Sequence, residues 1–184
     1  MQTRLAKPSL FVLFWGVFGY ALCLPQPFAG RDIATGKTVD WDPKKEGKPS
    51  VIVFLSQKCP CSRSHAPDIS ELSKKYPEFR FLGIHSNRDE EPALVDFYFK
   101  EAALPFPVVE DTGFRIANAF GAFKTPHAFV VGKDGACLFQ GGVTDSKQLK
   151  NSKVHYLDLA LADIRAGKEP AEKEVRTLGC IIKR

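Results

Sequence analysis

The chain has 184 residues, of which 44% are hydrophobic and 26% charged, with a formal charge of +5. That length allows one well-buried core and leaves little for a second domain, and the composition is that of an ordinary globular protein. The basic residues are scattered along the chain, which argues for solubility and against a nucleic-acid partner.

The N-terminus reads as an export signal. Arg4 and Lys7 precede an apolar run over residues 10–18, and Pro25 and Pro27 act as breakers beyond it. A positive start, a short apolar stretch and a breaker mark a secretory leader. A spanning helix needs about 20 apolar residues, which this run approaches only if Tyr20 to Leu24 are included. Residues 1–23 are therefore assigned to a signal peptide, with cleavage after Ala21 or Cys23. A retained anchor or lipidation at Cys23 are the alternatives. Loss of Arg4 and Lys7 with the leader lowers the formal charge by two. Any membrane association runs through this segment alone. The expected location is the periplasm or cell envelope, where thiols can be oxidised.

Residues 28–42 are expected to form a hairpin turning at Thr35-Gly36-Lys37, with Val39 and Trp41 alternating with polar neighbours. Val51-Ile52-Val53-Phe54-Leu55 is a continuous apolar run, the mark of a strand buried on both faces. A helix comes next over 60–76, carrying Ile69, Leu72 and Tyr76 at helical spacing, with Pro67 expected to kink it. Residues 79–85 form the next strand, and 92–103 a helix with Pro92 in its first turn. Residues 105–109 read as a short strand and 112–120 as a short helix closed by Gly121. Strands over 127–131 and 136–140 are joined by Gly132-Lys133-Asp134-Gly135, and a last helix over 154–166 ends at Gly167. The tail over 168–184 is polar until Leu178-Gly179-Cys180-Ile181-Ile182. Alternating strands and helices, then a closing hairpin and a helix, indicate an α/β sandwich with a mixed sheet. One domain over 24–167 and a tail over 168–184 carrying Cys180 complete the division.

A buried strand running straight into Lys58-Cys59-Pro60-Cys61-Ser62 has a chemical consequence. Pro60 suits the first helical position, which makes Cys59 the N-cap. Unpaired N–H groups and the helix dipole there favour thiolate over thiol, and Lys58 and Arg63 add positive potential. Cys59 is thus the expected reactive thiol. Its partner is less evident. Ser62 stands where a Cys-x-x-Cys pair needs its second cysteine. Cys61 is two residues away, and positions two apart on a helix point to different sides. Cys180, in an apolar tail patch able to fold back, ranks first as the resolving thiol, then Cys61, then an outside thiol. Cys137 reads as a core side chain. Thr125-Pro126 opens a strand at a point where a cis proline would expose backbone beside the thiol.

The segment Phe54-Leu55-Ser56-Gln57-Lys58-Cys59-Pro60-Cys61-Ser62-Arg63, then Pro67, then Thr125-Pro126-His127-Ala128-Phe129-Val130-Val131 with Asp134-Gly135, resembles the redoxins. These are the peroxiredoxin-like (alkyl hydroperoxide reductase and thiol-specific antioxidant) branch of the thioredoxin superfamily. The resemblance spans residues 28–164. It implies a thioredoxin fold, a three-layer α/β/α sandwich with a mixed central sheet and an N-terminal β-hairpin, with residues 89–122 as extra elements. It also implies Cys59 as the redox-active residue and Pro126 as the cis proline facing it, with Pro60, Thr125 and Arg63 contacting substrate. The substrate would be a peroxide or a protein disulfide, the electron donor a thiol, and no cofactor is implied. The Gly179-Cys180 tail looks like one found in some exported peroxiredoxin-like proteins. Peroxiredoxins place Pro and Thr seven and three residues before their Cys, and this chain has Ile52 and Ser56 there. The hydroxyl that would bind a peroxide oxygen is kept, and the shielding proline is not.

Two other functions compete with a thiol oxidoreductase. Cys59, Cys61, His65 and His127 would suit copper(I) or zinc if they converged, since thiolate and imidazole are ligands for both. A non-catalytic interaction domain that kept the fold is the other. His85 and His155 read as structural or solvated. The glycines form no phosphate loop and the carboxylates are not paired on a recognisable scaffold.

Overall fold

The computed structural model describes residue 23 and residues 25–184. The leader assigned to residues 1–23 therefore lies, apart from Cys23, outside the described residues. Among those described, no helix is long and apolar enough to cross a membrane.

Strand β3 (Ser50–Leu55) is the centre of the molecule, and every one of its residues is buried. It lies in a five-stranded sheet with β4 (Arg80–His85), β5 (Val108–Glu110), β7 (His127–Val131) and β8 (Cys137–Gly141), in the order β5-β4-β3-β7-β8. Strands β3, β4 and β5 run parallel, while β7 and β8 run antiparallel, so the sheet is mixed as expected. The two-residue period of a strand divides its side chains between two cores. Val51, Val53 and Leu55 pack with Ile69 and Leu72 of α1 (Pro60–Lys75), Val95 and Phe99 of α2 (Pro92–Ala102), and Leu157 and Leu161 of α4 (Tyr156–Arg165). Ile52 and Phe54 face the other way, onto Ile116 and Phe120 of α3 (Arg115–Phe120) and onto Trp41. Trp41 belongs to the expected hairpin, β1 (Phe28–Arg31) paired antiparallel with β2 (Thr38–Trp41). Helices on both faces of a mixed sheet make the three layers.

Besides the strand expected over 105–109, which is Val108–Glu110 because residues 105–107 stay irregular, two elements differ from expectation. The helix expected over 112–120 is broken: Thr112–Phe114 is a single 3-10 turn, with Gly113 and Phe114 at φ of 77° and 60°. The Asp111 carboxylate lies behind that turn and accepts from the N–H groups of Ile116 and Ala117 at 3.0 and 2.9 Å, so α3 starts on a side-chain cap supplied from upstream. The other difference is the tail. Cys180–Ile181 forms a strand, β9, that pairs antiparallel with β6 (Lys124–Thr125) in the register Thr125↔Cys180. On the way the tail runs beside β8, where Val175 donates to the Gln140 carbonyl at 3.0 Å. Ile182 then buries in the core under β3.

Candidate active site

The site forms where β3 ends and α1 begins. Cys59 is the N-cap of α1, with extended backbone (φ −77°, ψ 111°), and Pro60 occupies the first turn. Its Sγ accepts from the Ser62 N–H at 3.4 Å, and as a thiol it donates to the Thr125 carbonyl oxygen at 3.0 Å. The Thr125–Pro126 peptide is cis, and its carbonyl side faces the cap. Cys59 and Cys61 are 1% and 6% exposed, so both are almost wholly covered.

Three sulfurs converge here. The Sγ atoms of Cys59, Cys61 and Cys180 all lie within 4.8 Å of one another. The β6–β9 pairing brings Cys180 from the far end of the chain, and Gly179 makes the approach feasible: a Cβ on it would stand 2.1 Å from the Thr125 carbonyl oxygen. Cys61 corrects the expectation that it points away from Cys59. The two-apart rule holds inside a helix, but an N-cap is half outside it, with extended φ and ψ that re-aim its side chain.

The three thiols differ in acidity. Burial pushes Cys59 up, yet hydrogen bonds from the Cys180 thiol and from the Ser62 and Cys180 N–H groups, with the Thr125 hydroxyl close by, bring it net below its ordinary value. Burial and the adjacent Cys59 charge push Cys61 up, and burial and the hydrogen-bonded, charged Cys59 push Cys180 up to about 12. Cys59 is therefore the most readily ionised of the three, and its neighbours are placed as donors to it. That restraint on Cys180 weakens once the Cys59 sulfur is covalently bound and neutral, because the repelling charge is gone.

The other expected residues fall in several places. Ser56 accepts from the Cys59 N–H at 3.0 Å and donates to Glu90 Oε1 at 2.5 Å, so its hydroxyl is spent on the loop. Lys58 reaches the Asp89 carbonyl, and the exposed Arg63 lies over the Tyr98 ring at 5.7 Å. His65 is not brought into the sulfur group: its Nδ1 meets the Cys61 carbonyl and its Nε2 the Thr144 hydroxyl, each at 2.8 Å. His127 is also apart, its ring 4.3 Å from that of Phe129 and 5.5 Å from that of Phe123. Cys137 is only partly buried and packs beside Cys23 at the margin of the core.

The residue that sequence reasoning missed is Glu90. It is buried and holds Ser56 Oγ, the Gln57 N–H at 2.9 Å and His85 Nε2 at 3.2 Å. Burial pushes its carboxyl pKa up, but those partners, His85 first, hold it net below the usual carboxylate range. A charged carboxylate thus braces the loop that presents Cys59. Glutamate is seldom buried unless paired, and nothing in Asp89-Glu90-Glu91 singles out the middle residue.

His127 carries a separate, acid-linked effect. It is 5% exposed, its Nδ1 has no partner among the described residues, and burial followed by the Lys124 charge pushes it down to about 3. The unfolded chain takes up that proton near pH 6.5 and the folded chain does not. The stability is present above pH 6.5 and is lost as pH falls toward 3. By pH 4 the loss from this one ring should be about 3 kcal/mol. Denaturant titrations of the wild type and His127→Phe between pH 7 and 4 should show a flatter acid limb in the variant. Parallel limbs would remove His127 as the cause.

The AhpC/TSA family profile matches residues 26–137. The thiol-disulfide oxidoreductase ResA of Bacillus thuringiensis subsp. konkukian (strain 97-27) is 31% identical over 93 residues, covering 50% of this chain and 54% of ResA. The chain spans about half the length of the curated relatives it matches. An uncharacterized conserved protein from Geobacillus kaustophilus superposes with a TM-score of 0.78 at 25% identity, covering 92% of this chain and 94% of that one. A secreted Mycobacterium tuberculosis disulfide oxidoreductase homologous to E. coli DsbE has a TM-score of 0.52 at 22% identity, over 60% of this chain and 79% of its own. The pneumococcal exposed lipoprotein thioredoxin Etrx1 from Streptococcus pneumoniae strain TIGR4 has a TM-score of 0.57 at 20% identity, over 66% and 92%. The last two share the fold, that of thioredoxin.

Proposed function

The chain belongs to the AhpC/TSA family, and from that premise we propose that it is an exported thiol–disulfide oxidoreductase in which Cys59 attacks and Cys180 resolves. The observation that carries this reading is the pairing Thr125↔Cys180, which lays a second thiol beside the helix-capping one. In the first step the Cys59 thiolate forms a bond to one sulfur of a substrate disulfide, and the other sulfur leaves as a thiolate that takes up a proton. In the second, Cys180 loses its proton and attacks the Cys59 sulfur, the Cys59–Cys180 disulfide forms, and the first substrate sulfur leaves as a thiol. Two electrons have passed from the protein to the substrate. An external thiol reductant reverses the exchange at Cys180 to restore both thiols. Run backward, the same steps oxidise a dithiol.

Protein disulfides suit this site better than peroxides. Thiolate attack on a peroxide needs donors for the departing oxygen, and the Ser56 hydroxyl is already engaged by Glu90 and the Cys59 N–H. The leader at Arg4, Lys7 and the apolar run supports export to the periplasm or envelope, a setting where such exchange operates. The deciding experiment is peptide mapping of the oxidised, metal-free protein by mass spectrometry. The expected product is a Cys59–Cys180 disulfide with Cys61 alkylatable. A Cys59–Cys61 bond, or a stable sulfenic acid at Cys59 after peroxide treatment, would replace this scheme.

A further inference from the structure

We propose that the reduced protein also binds one copper(I) ion through the thiolates of Cys59, Cys61 and Cys180. Disulfide exchange between Cys59 and Cys180 uses two of these sulfurs and gives Cys61 no part, yet its Sγ closes a triangle with the other two in which no side exceeds 4.8 Å. A metal–thiolate bond of about 2.3 Å sets the sulfurs of a planar trio about 4 Å apart, so the triangle needs only a small contraction to hold an ion at its centre.

The donor set selects the metal. Among the described residues, this is the one group of three or more histidine, cysteine and carboxylate side chains close enough to share an ion, and it contains sulfur only. Zinc takes four ligands in structural sites and three plus water in catalytic ones, with imidazole or oxygen common among them. His65, the nearest histidine in sequence, has both ring nitrogens committed to Cys61 O and Thr144 Oγ1. Three soft thiolates, with no histidine or carboxylate joining them among the described residues, suit copper(I).

The surroundings are consistent with a bound, negatively charged thiolate cluster. The Ser62 N–H at the start of α1 already points at the Cys59 sulfur, and Lys147 lies near enough to Cys61 to favour its charged form. The Thr125 hydroxyl is 1% exposed and, among the described residues, has no hydrogen-bond partner other than the Cys59 sulfur beside it, which accepts once it is a thiolate. Buried hydroxyls are normally paired, and a metal-bound thiolate gives this one an acceptor. Binding releases the thiol protons and leaves the oxidation state of sulfur unchanged. The ion and the Cys59–Cys180 disulfide are mutually exclusive occupants, since each consumes the same sulfurs.

Anaerobic titration of the full, reduced chain with copper(I) against bicinchoninate tests this. One equivalent should be held against the chelator, and X-ray absorption at the copper edge should show three sulfur neighbours. Cys61→Ser and Cys180→Ser, each checked for native circular dichroism, should each weaken binding about 100-fold or more, two powers of ten in the dissociation constant. Failure to retain copper, two-sulfur coordination unaffected by Cys180→Ser, or tighter retention of zinc than of copper in parallel titrations would each overturn it. Disulfide mapping of the metal-free protein is read separately, so the loss of one conclusion does not carry the other with it.

Discussion

Replacing Cys59 by serine should lower the rate of insulin disulfide reduction by about three orders of magnitude or more, because a neutral hydroxyl does not replace a thiolate nucleophile. Cys180→Ser should behave differently. Its Cys59 keeps the helix cap, the Ser62 N–H and the Thr125 carbonyl, so the first attack proceeds and stops. The variant should show a burst of one substrate thiol per chain and accumulate a mixed disulfide on Cys59, visible by mass. Cys61 is close enough to compete for that bond, and slow release through it would appear as residual turnover in Cys180→Ser that vanishes in the double variant. Turnover by Cys59→Ser within about tenfold of wild type would remove Cys59 from the chemistry, whatever the other variants do.

Gly179→Ala should detach the tail from the site. A flexible side chain could give way to the added methyl, but here the atoms in the way are backbone, the Thr125 oxygen at 2.1 Å and carbon at 2.7 Å from it. Thr125 is itself held by the Cys59 contact and by the central strand β7 that begins two residues on. The β6–β9 ladder is only two residues long, so it gives way before the core does. The expected result is a Cys180 that reacts with maleimide at the rate of an exposed thiol and a much reduced yield of the Cys59–Cys180 disulfide. Overpacking typically costs about 1–3 kcal/mol, and the denaturation midpoint should fall accordingly. A variant with wild-type disulfide yield and an unchanged midpoint would show that the tail docks by some other route.

Much of the fold is legible in the sequence, and the limits have identifiable causes. The run from Val51 to Leu55 announces a buried strand because parallel strands with both faces covered need apolar residues throughout. Pro60 places the helix start, and with it the cap position of Cys59. Periodicity carries no information about contacts between segments far apart in the chain, and there the expectations stop. Cys180 ranks first as a partner from the apolar character of its neighbours, but its antiparallel register with Thr125 is not deducible. Glu90 is invisible because one buried carboxylate in a charged loop leaves no pattern. Cys61 is misdirected when helix spacing is applied one residue too early.

The strand that carries Cys180 has a consequence for the folding of the whole protein. A bond between Cys59 and Cys180 closes a loop of about 120 residues, enclosing helices α1 to α4 and four of the five central strands while β3 lies outside it. Closing a ring of that size restricts the unfolded chain by nearly 5 kcal/mol, at about the level expected for a hundred-residue loop. Domains of this kind are stable by roughly 5–15 kcal/mol in all. The oxidised and reduced molecules are then not equally durable: one has its tail bonded to the start of α1, and the other keeps its last residues in place by a two-residue ladder and the buried Ile182. Each turnover would make the protein alternately harder and easier to unfold, and a protease in the same compartment would meet its most vulnerable form just after it had been reduced.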